Sequence, residues 1–123
     1  MSAPRVLLIE DDAALQTLLY EVLVSEGYEV HVAMRDDVLY MAQEISPELL
    51  LIGCDGRGTF EPGWEIGAML RRELPQVVLV MLTTSGAAVE ELGATTRGRV
   101  FDGGLRKPFS IDELLRMLAA HVQ

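Results

Sequence analysis

Basic residues are scarce in this chain: 10 Lys+Arg stand against 19 Asp+Glu in 123 residues, a formal charge of −9 with both His neutral. Direct nucleic-acid contact needs a net basic face, so no nucleic-acid partner is expected. The close basic pairs, Arg71-Arg72, Arg97/Arg99 and Arg106-Lys107, have no aromatic interleaving and read as solvated faces or loops. Cysteine is nearly absent. Cys54 alone cannot form an internal disulfide, no Cys/His cluster has zinc spacing, and the residue reads as a small core side chain in a reducing compartment. The longest apolar run, Val77 to Leu82, is six residues, too short to cross a bilayer. Met1-Ser-Ala-Pro-Arg5 leads into only four apolar residues, which makes no signal-peptide core, so a soluble cytoplasmic protein is expected. Repeats, low-complexity tracts and linkers are missing too. A single domain over residues 1–123 follows.

Half of the residues are apolar, enough for a real core, and they fall into two exchanging periods. Val6 to Ile9 is a continuous apolar run, as in a strand covered on both faces. Leu15, Leu18, Leu19, Val22 and Leu23 follow with helical spacing, Asp12 placed to cap the start and Gly27 to end it. Tyr28, Val30 and Val32 alternate with polar neighbours as an edge strand would, leaving His31 toward solvent. Val38, Met41, Ala42 and Ile45 make a second helical stripe, stopped at Ser46-Pro47, and Leu49 to Ile52 a third strand. Beyond a Gly-rich loop, Ile66, Met69, Leu70 and Leu74 form a third helix, and Val77 to Leu82, the most apolar strand, is expected to be central. From Ser85 to Arg99 the pattern weakens to a short fourth helix. Val100-Phe101 begins a fifth strand, and Ser110 to Glu113 is a capping box opening the last helix, with Ile111, Leu114, Leu115, Leu118 and Val122. Five such units imply an α/β fold: a five-stranded parallel sheet with helices on both faces and its chemistry at the strand carboxyl ends.

Three polar groups gather at that rim. Glu10, Asp11 and Asp12 follow the first strand, Thr83-Thr84-Ser85 ends the fourth, and Arg106-Lys107-Pro108 follows the fifth. Adjacent carboxylates repel, and their inexpensive uses are exposure, helix capping or sharing a divalent cation. With Asp12 as the cap, Glu10 and Asp11 remain as expected oxygen ligands of a hard cation, Mg²⁺. Taken singly, the acids are a polar strand end, Thr83 a strand-end hydroxyl and Lys107 a surface charge. Together they are the parts that hold a transferring phosphoryl group.

Val6-Leu-Leu-Ile-Glu-Asp-Asp12, Glu26-Gly-Tyr-Glu-Val30, Pro47-Glu-Leu-Leu-Leu-Ile52, Val80-Met-Leu-Thr83 and Arg106-Lys-Pro-Phe-Ser110 resemble, in order, the strand motifs of the receiver domain of bacterial two-component response regulators. The resemblance runs over essentially the whole chain. It implies a flavodoxin-like (βα)5 fold of CheY-like type, in which an aspartate after the third strand takes a phosphoryl group from a histidine kinase. It also implies Mg²⁺ on the strand-one acids Glu10 and Asp11, Thr83 as the switch hydroxyl and Lys107 as the phosphate-clamping lysine. The implied partners are a sensor histidine kinase or phosphotransfer protein and a downstream effector protein, with a homodimer through the fourth helix, fifth strand and last helix; no membrane partner is implied.

Two positions depart from the pattern. Counted forward from Pro47, the phosphoacceptor falls on Gly53, which has no side chain; counted back from Gly63-Trp-Glu-Ile66, it falls on Asp55, which would also join Glu10 and Asp11 as a metal ligand. Gly53 and Asp55 share strand parity, so an extended strand would aim Asp55 at the rim, while a loop insertion would leave it a turn acid beside Gly56 and Gly58. The switch aromatic expected three residues before Lys107 is Gly104, and Phe101 lies too far upstream. The leading expectation is a receiver that signals by protein contact, not an enzyme, with phosphorylation on Asp55. Its alternative is a phosphorylation-independent pseudo-receiver. A small metal-dependent phosphate-handling or nucleotide-binding enzyme is the distant third, since neither glycine-rich nucleotide motif is present.

Overall fold

Three continuous apolar runs, Val6 to Ile9, Leu49 to Ile52 and Val77 to Leu82, build the middle of the sheet. In the computed structural model, which describes residues 3–53, 61–86, 89 and 100–121, the strands are β1 (Arg5–Ile9), β2 (Glu29–Val32), β3 (Leu49–Gly53), β4 (Val78–Thr83) and β5 (Gly103–Arg106). All pair in parallel in the order β2-β1-β3-β4-β5, the doubly wound flavodoxin-like arrangement expected from the alternating periods. The helices are α1 (Ala13–Ser25), α2 (Val38–Ile45), α3 (Glu61–Glu73) and α4 (Ile111–His121). Cys54, Asp55, the Trp64 side chain and most of the expected fourth helix lie outside the described residues.

Strand alternation divides the core in two. Leu7, Ile9, Leu50, Ile52, Leu79 and Met81 face Val38 and Ala42 of α2, Leu70 of α3, and Phe101. Val6, Leu8, Leu49, Leu51, Val80 and Leu82 face Leu19 and Leu23 of α1 and Leu114 and Leu118 of α4. Every residue of β3 is therefore buried, and β3, not β4, is the middle strand; β4 is interior but lies one place over. Hydrophobicity reports coverage of both faces, which β1, β3 and β4 share, and cannot rank them.

Local signals set the helix ends. The Asp12 side chain accepts from Leu15 N at 3.0 Å and caps α1, while Gly27 takes φ +94° beyond its end, as a left-handed turn residue. Ser46, at φ 53°, stops α2. Ser110 and Glu113 make the reciprocal capping box of α4, with Glu113 N donating to Ser110 Oγ at 3.1 Å and Ser110 N to Glu113 Oε1 at 3.3 Å. The Lys107–Pro108 peptide bond is cis.

Three expectations shift. Leu18 sits outside the α1 stripe, about half exposed, because only Leu19 and Leu23 face the sheet squarely. The fifth strand starts at Gly103 rather than at Val100: the Asp102 carboxylate accepts from Leu79 N at 3.0 Å, so a side chain takes the place of the first ladder partner. Arg71 is not a solvated pair with Arg72. Its guanidinium donates to the carbonyls of Val100, Pro75 and Val77 and pairs with Asp102 at 2.6 Å, tying the end of α3 to the amino ends of β4 and β5. At the outer strand, Glu29 pairs with His31 at 2.7 Å, and that hydrogen bond holds the Glu29 carboxyl below its ordinary range.

Candidate functional site

The sheet order reverses at β1, whose neighbours are β2 on one side and β3 on the other, and open α/β sheets gather ligands at such a switch point. Ile9 pairs with Ile52, so Glu10 and Gly53 come next along their strands, side by side. A Cβ built on Gly53 would stand 2.6 Å from Glu10 Oε1 and 2.9 Å from its carboxyl carbon. The Glu10 carboxylate thus fills the room a side chain at position 53 would need. Only a glycine lets it lie there.

A carboxylate so placed is deeply buried, with its side chain 4% exposed, and requires a positive partner. Lys107 supplies it. Its backbone N donates to Thr83 O at 2.7 Å, carrying the β4–β5 ladder one residue past β5, and its ammonium reaches Glu10 Oε1 at 2.8 Å. That contact joins two opposite charges out of water. The other oxygen, Oε2, accepts from Asp12 N at 3.0 Å. Lys107 is therefore no solvated surface charge, and the expected meeting of the first and fifth strand ends is observed.

Asp11 goes elsewhere. Its carboxylate is largely exposed and pairs with Arg35, which follows β2 and donates from Nη2 to Asp11 Oδ2 at 3.2 Å and to Gly53 O at 3.0 Å. The two strand-one acids thus have separate cations. Thr83, fully buried at the end of β4, accepts from Ser85 N through Oγ1 at 3.1 Å. It shares the rim with Glu10 and Lys107. Arg35 has no counterpart in the sequence reading, although its place three residues beyond Val32 puts it at the same carboxyl end and was a usable signal.

Gly104 pairs with Met81, so the strand position expected to hold an aromatic has no side chain to turn. Phe101 is a core residue, 1% exposed, seated on Gly67 of α3, where a Cβ would come within 2.6 Å of its ring. It cannot serve as the missing switch group.

Among the described residues, several of the oxygens a divalent ion would use already face cations or donors. Asp11 and Gly53 O are held by Arg35, Glu10 by Lys107 and Asp12 N, and no group of three or more Asp, Glu, His or Cys side chains converges there. Glu10 and Asp11 are hard oxygen donors of the kind Mg²⁺ takes, and Lys107 and Arg35 now stand against them.

No family model matches the chain. It is 32% identical to the transcriptional regulatory protein TcrA of Mycobacterium tuberculosis over 128 residues, covering 98% of this chain and 46% of TcrA. It is also 32% identical to the phosphate regulon transcriptional regulatory protein PhoB of Rhizobium meliloti over 120 residues, covering 95% of this chain and 51% of PhoB. The chain thus spans about half the length of these curated relatives. Among solved structures, the chemotaxis response regulator CheY4 of Vibrio cholerae superposes with a TM-score of 0.80 at 24% identity, over 98% of this chain and all of that one. The receiver domain of NtrX from Brucella abortus gives 0.81 at 22% identity, over 95% and 97%. Fold and relatives together define the class: this chain is a CheY-like receiver domain of the response-regulator kind. Receivers of this class typically bind Mg²⁺ at the phosphorylation site.

Proposed function

We propose that this receiver passes its two-component signal by protein contacts, without a phosphoryl group at the end of β3 and without turning over a small substrate. The observation that carries the reading is the pairing of Gly53 with an inward Glu10 carboxylate held by Lys107. A carboxylate of the chain itself then lies beside the clamping lysine, close to where the class would carry a phosphoryl group. The partners are a sensor histidine kinase or phosphotransfer protein, a downstream effector and a second copy through the fourth-helix, fifth-strand and last-helix face, all in the cytoplasm. Among the described residues no helix is long and apolar enough to cross a membrane.

A second reading is favoured by the retention of Thr83 and Lys107 at the rim. In it the phosphoryl group passes from a phosphohistidine nitrogen to an Asp55 carboxylate oxygen, the N–P bond breaking as the O–P bond forms. Thr83 and Lys107 would hold the phosphoryl oxygens, with Glu10, Asp11 and Asp55 as the metal carboxylates.

Incubation with Mg²⁺ and a small acyl-phosphate donor, followed by intact-mass measurement, separates the two. The first reading expects no phosphoryl adduct while a competent receiver is modified in parallel. An adduct that Asp55→Asn abolishes would overturn it and establish the second.

A further inference from the structure

Arg35 stands where this rim meets water. Its side chain is 23% exposed, and it spans two oxygens from different strands, the Asp11 carboxylate and the Gly53 carbonyl. A carboxylate and a main-chain carbonyl converging at a strand-end switch point are hard donors of the kind that take a small divalent ion. A recess of about 430 Å³, lined by Glu10, Asp11, Gln16, Met34, Arg35 and Asp36 among others, lies against this point.

The guanidinium is not held there by complete hydrogen bonding. Nη1 is buried and donates to nothing. The contact of Nη2 and Nε with Asp11 and Gly53 is thus kept although Nη1 has no protein acceptor. Charge is the compensating factor, since without Arg35 the exposed Asp11 carboxylate would stand next to buried Glu10 with no cation of its own.

We propose that Arg35 is the resident cation of the rim, holding the oxygens a divalent ion would need, so that Mg²⁺ can bind only by displacing it. The pocket then keeps its shape and its charge balance with no dissociable metal. This goes beyond the function proposed above and does not depend on it: a rim that is phosphorylated on Asp55 would face the same competition.

The test is a calorimetric Mg²⁺ titration of the wild-type chain, Arg35→Ala and Arg35→Gln, with thermal melts in and out of Mg²⁺. Binding to Arg35→Ala should tighten at least about tenfold, because a full positive charge is removed from the site. Its melting temperature should rise with Mg²⁺ where that of the wild type does not. Asp11→Asn added to Arg35→Ala should abolish the gain. Arg35→Gln keeps an amide donor for the Gly53 carbonyl but no charge; it should gain Mg²⁺ binding too, and it replaces Arg35→Ala if that variant fails to fold. Equal affinity in wild type and a folded variant, or no binding in either, overturns the proposal. Both readouts are independent of phosphoryl adduct formation, so failure here and failure of the signalling reading are distinguishable.

Discussion

The two ends of the sheet each carry a partly buried acid–base pair, and the pairs are finished differently. At the amino end, Arg71 uses its fork on three carbonyls and Asp102, and Asp102 also takes Leu79 N. At the carboxyl end, Lys107 meets Glu10 as a point charge, and Arg35 reaches Asp11 with one nitrogen idle. Among the described residues, the two buried side-chain polar atoms without a hydrogen bond are Glu10 Oε1 and Arg35 Nη1. Both belong to the carboxyl end. A forked guanidinium on several acceptors fixes geometry, whereas an ammonium meets a carboxylate as a point charge. The amino-end pair is tied to main-chain groups of three segments, whereas the carboxyl-end pairs gather side chains at the rim.

The sharpest way to break this contrast is to remove one charge from the carboxyl end. Lys107→Met leaves the Glu10 carboxylate buried without a cation and should cost about 3–5 kcal/mol in urea unfolding. Adding Glu10→Gln should recover much of that loss, because the burden is the orphaned charge and not the missing contact. Failure to recover would mean that Lys107 stabilises through its stem alone.

Arg71→Met tests the other end and should cost about 2–3 kcal/mol, spread over several hydrogen bonds. Here Asp102→Asn should give no rescue, since three carbonyls lose their donor whatever residue 102 is. Rescue of the amino end would erase the distinction drawn between the two pairs.

Gly53→Ala comes next, at about 1–3 kcal/mol, because the new Cβ meets a carboxylate held from both sides by Lys107 and Asp12 N. In the Glu10→Ala background the same change should be nearly neutral. A double-mutant cycle that is additive would show that Glu10 does not occupy the space of a residue-53 side chain.

The smallest effect belongs to the exposed pair at the outer strand. Glu29 has its carboxyl lowered from 4.5, first by the His31 hydrogen bond and then by Arg5. Its contribution is therefore present above pH 4.5 and lost as pH falls through the lower folded value. An NMR carboxyl titration in His31→Ala should move that value back toward 4.5.

Much of the architecture was readable because burial on two faces writes continuous apolar runs and helices write a 3.6-residue stripe. The caps at Asp12 and Ser110 and the turn at Gly27 were likewise readable, each being a contact within a few residues. The site was half readable. That Glu10, Thr83 and Lys107 share a rim follows from strand ends, but the partition of two adjacent acids between Lys107 and Arg35 does not. The roles of Arg71 and Arg35 were not legible because each donates to main-chain oxygens, which no side-chain motif marks, and each reaches at least one of them across 18 or more residues.

What the amino-acid order alone decided is the alternation of strands and helices, the parallel sheet it compels and the gathering of polar strand ends on one rim, because periodicity and capping are local properties of the chain. Only the folded molecule decided who neutralises whom. The absence of a side chain at Gly53 turns Glu10 inward, burial then commits Lys107 to it, and Asp11 is left to Arg35, since each charge must find its partner in three dimensions at once.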